Sequence, residues 1–374
     1  PGNTIVTTLD KDLQRAALEG SAEFLEMAKK TYSPEEGGSA DRISVVAVAL
    51  KTSEILAMVN YPTYDLSDYY TKYSELSSDP LHPLINYCTQ GIYMPGSIYK
   101  PVVGIGALAS GVIDGDTLID CKQIYQTGTD YNPRCLGLHG PINIQYALMV
   151  SCNYFFYEAG TRQGIDNIVK YSEQLGLGVE SGIELSEATG HVSCPEYYES
   201  VREGQVGGTW TYGNVLQSSI GQLDNAYTPL QMANYVATLA NDGTRMRSHL
   251  VKSVESYNLE ETISVTEPEV LNQVEADQEA FDQVREGMVR CSRDTTRGSA
   301  RYYFGDYPID VAAKTGTPQA SGGDLDATFI AYAPAYDPEI AVAVVVENGY
   351  SGQRGAPIAK AIFNEYFGLN EETE

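Results

Sequence analysis

Met94-Pro95-Gly96-Ser97-Ile98-Tyr99-Lys100-Pro101-Val102-Val103 places a serine and a lysine one helical turn apart, at the head of an apolar stretch that runs on to Ile113. Pro101 falls within the first turn, where a missing amide hydrogen costs little and a fixed φ suits the helix. A serine at such a start has its hydroxyl near the positive end of the helix dipole, and a lysine three residues on shares its face. If the lysine is buried among its apolar neighbours, its pKa falls and it can accept the serine proton. The stretch therefore reads as a nucleophile, Ser97, with a resident base, Lys100.

Apolar runs lie at both ends of the chain. Ile5 to Thr8 reads as a short strand, and Asp10 as the N-cap of a helix carrying Leu13, Ala17, Leu18 and Phe24 at helical spacing. Ile43 to Leu50, a turn at Lys51 to Glu54, and Ile55 to Val59 read as a buried hairpin. Val311 to Ala313, Thr328 to Ala333 and Ile340 to Val346 read as three more strands, and Pro357 to Phe367 as a closing amphipathic helix. The pattern between these ends is mainly helical. The expectation is a mixed α/β fold, with one sheet built from both ends of the chain and a helical lobe inserted between them.

Two further motifs carry chemistry. Ser151-Cys152-Asn153 lies on Ile144 to Tyr157, which reads as helical. Its hydroxyl can relay a proton and its carboxamide can bind a substrate amide. Ser256-Tyr257-Asn258 has the same pattern but sits in a polar strand-and-turn region far from any other candidate. Lys314-Thr315-Gly316-Thr317 follows an apolar run. On an edge strand it offers a cation, two hydroxyls and a glycine that lets a substrate backbone approach, so a peptide can add as a strand.

Ser-x-x-Lys, Ser-x-Asn and Lys-Thr-Gly occur here in that order, with Ser151 54 residues after Ser97 and Lys314 163 residues further on. In motif and order the chain resembles the transpeptidase domain of the class B penicillin-binding proteins. Thr7 to Gln14, Pro62-Thr63-Tyr64-Asp65, Ile220-Gly221-Gln222 and Thr228 to Ala233 add to the resemblance, which covers Asn3 to Phe367. It implies one transpeptidase domain over 1–374, built on a central antiparallel five-stranded sheet flanked by helices. It also implies that Ser97 attacks the penultimate D-Ala carbonyl of a peptidoglycan stem peptide, with Lys100 as general base. Ser151 and Lys314 would pass a proton to the leaving amine, Asn153 would hold the donor's amide, and Thr315, Gly316 and Thr317 would bind its end. The backbone amides of Ser97 and Thr317 would form the oxyanion hole. β-Lactams would acylate Ser97, and a polytopic glycan polymerase would be the partner. The family's N-terminal membrane anchor and pedestal are expected upstream, at the extracytoplasmic face of the bacterial cell membrane. Three departures stand out: Cys152 at the centre of Ser-x-Asn, Leu223 in place of the second glycine of Gly-Gln-Gly, and Asp326-Ala327-Thr328-Phe329 where His or Trp is common.

The rival reading is a hydrolase, either a β-lactamase or a DD-carboxypeptidase. A β-lactamase needs a second base for the deacylating water, and Glu187 is the nearest candidate, although its segment resembles a structural loop of the family. A penicillin sensor would need a transmembrane signalling segment, and no apolar run of about 18 residues occurs. A formal charge of −26 makes nucleic acid a poor partner. The six cysteines are too sparse for a disulfide scaffold. Cys121, Asp130, Cys135 and His139, with Cys135-x3-His139 at ligand spacing, are a candidate structural Zn²⁺ set beside the Ser151 segment. A Cys121–Cys135 disulfide and free thiols are the alternatives.

Overall fold

The apolar runs at the two ends of the chain meet in one sheet. The computed structural model describes residues 2–319 and 324–370. Strands β1 (Ile43–Ala49) and β2 (Ile55–Tyr61) form the hairpin, and β3 (Ala312–Gly316), β4 (Ala327–Ala333) and β5 (Ile340–Val346) complete the sheet in the order β3-β4-β5-β1-β2. Every neighbouring pair is antiparallel. β4 and β5 are buried at every position. Continuous apolar runs rather than alternating ones are what a sheet covered on both faces requires.

Alternate residues serve different cores, because successive side chains of a strand point to opposite faces. Val342, Val344 and Val346 pack with Phe24 and Leu25 of α1 (Lys11–Thr31) and with the C-terminal helix Ala356–Tyr366. Ala341, Ala343 and Val345 pack on the other side, into the helical lobe. That lobe includes α2 (Lys100–Ala109), α3 (Ile144–Met149), α4 (Asn153–Gln163), α5 (Pro229–Ala240) and α6 (Gln278–Arg293). Asp10 caps α1 through the amides of Asp12 and Leu13. Thr228 and Gln231 close a capping box on α5, whose helical residues are all buried. Such a cap is worth about 1 kcal/mol.

The structure differs from the sequence reading at Ile144 to Tyr157, which is two helices rather than one. The break falls at Val150–Cys152, where Ser151 has φ +54°. Small sheets also lie outside the main one: Thr4–Thr7 pairs with Val251–Glu255, and Ile119–Cys121 with Gly140–Ile142. Ser256 to Asn258 forms the turn between strands Val251–Glu255 and Thr262–Val265, its hydroxyl and carboxamide bonded to each other. Among the described residues no helix is long and apolar enough to cross a membrane.

Candidate active site

Three elements converge: the turn Gly96–Tyr99 leading into α2, the break before α4, and the end of β3. Ser97 is half-buried in a short 3-10 turn, and Lys100, which begins α2, is fully buried, as is Lys314 on β3. Lys100 Nζ donates to Ser151 O (2.8 Å), Ser151 Oγ (3.0 Å) and Asn153 Oδ1 (2.6 Å). Three acceptors match the three donors of an ammonium. Lys314 Nζ donates to the same Ser151 Oγ (3.0 Å) and to Thr315 O (3.0 Å). Ser151 Oγ therefore accepts from both lysines, which leaves its own O–H as a donor.

The left-handed backbone at Ser151 is uncommon for a residue with a Cβ and stores local strain. It ends α3 and starts α4 within three residues, so that Ser151 and Asn153 both face Lys100. Cys152 caps α4, its sulfur accepting from the Phe155 amide, and its own amide bonds back to Ala147 O (2.8 Å).

Burial pushes Lys100 down to about 7, helped by the charge of Lys314 and opposed by the thiols of Cys152, Cys135 and Cys291. Burial also lowers Lys314. A lysine with a pKa near neutrality is a competent proton acceptor at physiological pH.

The close seating of β3 against the Ser97 turn depends on two glycines. A Cβ on Gly316 would lie 2.5 Å from Pro95 O, and one on Gly96 would lie 3.0 Å from Pro318 N and 3.3 Å from Thr317 N. Gly96 also has φ +57°. Any side chain at either position would force turn and strand apart. The Thr328 hydroxyl donates to Pro95 O (2.7 Å), tying β4 to the same turn. Thr315 donates to Ser299 Oγ (3.0 Å), and Thr317 Oγ1 accepts from the Gly352 amide (3.1 Å). Ser299, Thr328 and Gly352 carry no motif, and only the fold brings them to the site.

The profile of the penicillin binding protein transpeptidase domain matches residues 43–368. The chain belongs to that family. It is 31% identical over 347 residues to the peptidoglycan D,D-transpeptidase MrdA of Acinetobacter baumannii, an alignment covering 86% of this chain and 50% of that protein. The chain thus spans about half the length of the curated relatives it first matches. The ceftriaxone acyl-enzyme of penicillin-binding protein A from M. tuberculosis superposes with a TM-score of 0.80 at 25% identity, covering 97% of this chain and 80% of that one. A chain in a peptidoglycan synthase complex superposes with a TM-score of 0.87 at 26% identity, covering 100% of this chain and 64% of that one.

In this penicillin-binding transpeptidase fold, the cysteines and histidine before Ser151 form a cluster that the sequence reading had only in part. The sulfurs of Cys121, Cys135 and Cys152 and a ring nitrogen of His139 all lie within 4.8 Å of one another. Asp130 is not part of the group: it lines a separate cavity with Tyr131, Tyr212 and Leu223. The fourth member is Cys152, brought in by the backbone break beside Ser151. Among the described residues none of the six cysteines is joined to another by a disulfide. The Cys135 and Cys152 sulfurs lie 3.6 Å apart, and their contact pulls the Cys135 thiol down and pushes the Cys152 thiol up.

Glu187 accepts from the Ser181 and Gly182 amides (3.0 and 3.1 Å), so its carboxylate braces the loop that bears it.

Proposed function

We propose that this chain is the cross-linking module of a peptidoglycan D,D-transpeptidase, with Ser97 as nucleophile. The observation that carries the reading is the buried relay Lys100–Ser151–Lys314, in which one hydroxyl serves two lysines, one of them titrating near neutrality. Neutral Lys100 takes the Ser97 proton as Oγ adds to the penultimate D-Ala carbonyl of a stem peptide. The backbone amides of Ser97 and Thr317 receive the developing oxyanion, a term worth about 3–4 kcal/mol per donor. As the tetrahedral species collapses, the departing D-Ala nitrogen takes the Ser151 hydroxyl proton, which Lys314 replaces. The ester left on Ser97 is then attacked by an amine of a second stem peptide; the amine's proton passes through Ser151 to Lys314, Lys100 returns its proton to the departing Ser97 oxygen, and the cross-link forms as the serine is restored. Asn153 orients the donor amide, and Thr315, Gly316 and Thr317 hold its carboxylate end. A β-lactam presents the same acyl group without a diffusible leaving amine, so the ester persists.

The relatives support a setting at the extracytoplasmic face of the bacterial membrane, with an anchor and pedestal supplied by segments outside 1–374. The synthase-complex likeness supports a polytopic glycan polymerase as partner. We further infer that Cys121, Cys135, Cys152 and His139 hold a structural Zn²⁺. The 3.5–3.6 Å separations of Cys121 from His139, Cys135 from His139 and Cys135 from Cys152 approach the ligand–ligand edges of tetrahedral zinc, about 3.5–3.8 Å. Bound there, the metal would supply no chemistry to the reaction, and its ligands would brace the backbone that carries Ser151 and Asn153.

The test is transfer from a D-Ala-D-Ala donor with an amine acceptor present. The expected products are free D-Ala and the acceptor amide, in proportions set by acceptor concentration. Hydrolysis that no amine diverts would contradict the transpeptidase reading and favour a carboxypeptidase. A penicilloyl enzyme lasting seconds rather than many minutes would favour a β-lactamase.

A further inference from the structure

A cavity of about 510 Å³ lies beside the segment that precedes the Ser97 turn. One wall is Tyr93-Met94, the segment leading into Ser97. The others are the turn bearing Leu223 and Asp224, and the strand-end residues Asp326 and Glu347. It shares its framework with the candidate active site. The Asp326 amide donates to Pro318 O (3.2 Å), just past Thr317, and Gly96 N donates to Gly221 O (2.9 Å), at the start of the Leu223 turn.

Three carboxylates line this cavity, and two have cations of their own. Asp224 takes two bonds from Arg202 (2.6 and 2.8 Å), and Glu347 takes one from Arg42 (2.6 Å) and another from the Tyr93 hydroxyl (2.7 Å). Asp326 is different. It is only 8% exposed, and among the described residues its side chain has one partner, the Asn348 amide (3.0 Å), and no lysine or arginine. A buried carboxylate without a counter-ion is costly to keep charged. Burial, opposed by the Asn348 amide and reinforced by Glu347 and Asp324, pushes its pKa up to about 6, so at neutral pH it is a carboxylate short of a cation.

We propose that this cavity is the acceptor subsite, and that Asp326 pairs there with the ammonium group of the amine-bearing arm of a second stem peptide. The inference rests on the transpeptidase reading above and adds a location and a selectivity residue to it. An alkylamine with a pKa near 10 arrives protonated at neutral pH. It must be drawn to the mouth of the site as a cation before any of it can attack as the free base. Asp326 supplies the missing charge, and the Tyr93 ring and Met94 offer an apolar wall to the alkyl arm. Asp326 acts through electrostatic attraction and positioning, and takes no part in acylation.

The experiment uses the full chain acylated by a D-Ala-D-Ala-type thioester, with two acceptors compared in each variant: Nα-acetyl-lysine amide, which is cationic, and hydroxylamine, which is neutral. The readout is the ratio of the two aminolysis efficiencies. Asp326→Asn is expected to lower the preference for the cationic acceptor about tenfold or more, the worth of a hydrogen bond to a charged group, and Asp326→Glu to restore much of it. In the wild type, n-pentylammonium is expected to compete with the lysine acceptor and to leave the hydroxylamine reaction alone. An unchanged ratio in an Asp326→Asn protein that penicillin still acylates would overturn the proposal, as would absence of competition by n-pentylammonium. A wild-type protein that penicillin does not acylate at Ser97 would instead overturn the transpeptidase reading beneath it.

Discussion

Replacing Lys314 with glutamine should move the pH dependence of Ser97 acylation to higher pH. Both lysine nitrogens lie 3.0 Å from Ser151 Oγ, so they are no more than about 6 Å apart. At an effective dielectric constant near 20, two unit charges about 6 Å apart repel by about 2.8 kcal/mol, which is roughly two pKa units. Lys100 sits at about 7, with burial as the first cause and Lys314 as the second. The base must be neutral to accept the Ser97 proton, so acylation rises with pH through the Lys100 pKa and then levels off. With the second charge removed, Lys100 holds its proton more tightly, and the midpoint should rise from about 7 to roughly 8–9. Glutamine keeps an N–H for Ser151 Oγ, which preserves the local bonding. The assay is the second-order rate of labelling by a fluorescent penicillin from acid to alkaline pH, with the melting temperature checked at each end. A midpoint that stays put, or moves to lower pH, would refute the coupling and with it the assignment of Lys100 as base.

Other outcomes follow from the same geometry. Gly316→Ala puts a Cβ 2.5 Å from Pro95 O, so it should destabilise the fold by about 1–3 kcal/mol in chemical denaturation. It should also slow penicillin labelling, because turn and strand separate at Ser97; a variant with wild-type stability and labelling rate would show that the close approach is unimportant. Protein purified without chelator should carry about one equivalent of zinc by elemental analysis, with Cys152→Ser losing it and melting earlier and Asp130→Ala keeping it. Wild-type protein with less than about a tenth of an equivalent would remove the metal from the account.

Much of this was legible in the sequence. The five strands were visible because a sheet covered on both faces needs unbroken apolar runs, and Ile340 to Val346 is such a run. Ser97 and Lys100 stood out as candidates because a spacing of three places two residues on the same face of a helical turn. The break at Ser151 was not. Ile144 to Tyr157 has the local pattern of one helix, and what interrupts it is tertiary: Lys100 reaches across from α2 to Ser151 O. That break also explains the error over Asp130, which lies nearer than Cys152 to Cys135 and His139 on the cluster's own loop in linear order. Cys152 joins the cluster only because the chain reverses there. The cavity beside Asp326 was out of reach for a similar reason. Its walls come from five separate segments, and a lone aspartate at a strand entrance gives no sign that the cations around it are already taken.

Intact-mass measurement after exposure to benzylpenicillin, with the adduct mapped by proteolysis, decides whether Ser97 is the residue that is acylated. One penicilloyl group per chain is expected, carried on the peptide containing Ser97 and absent from Ser97→Ala protein of unchanged melting temperature. An adduct on another residue, or undiminished labelling of the Ser97→Ala protein, would contradict it.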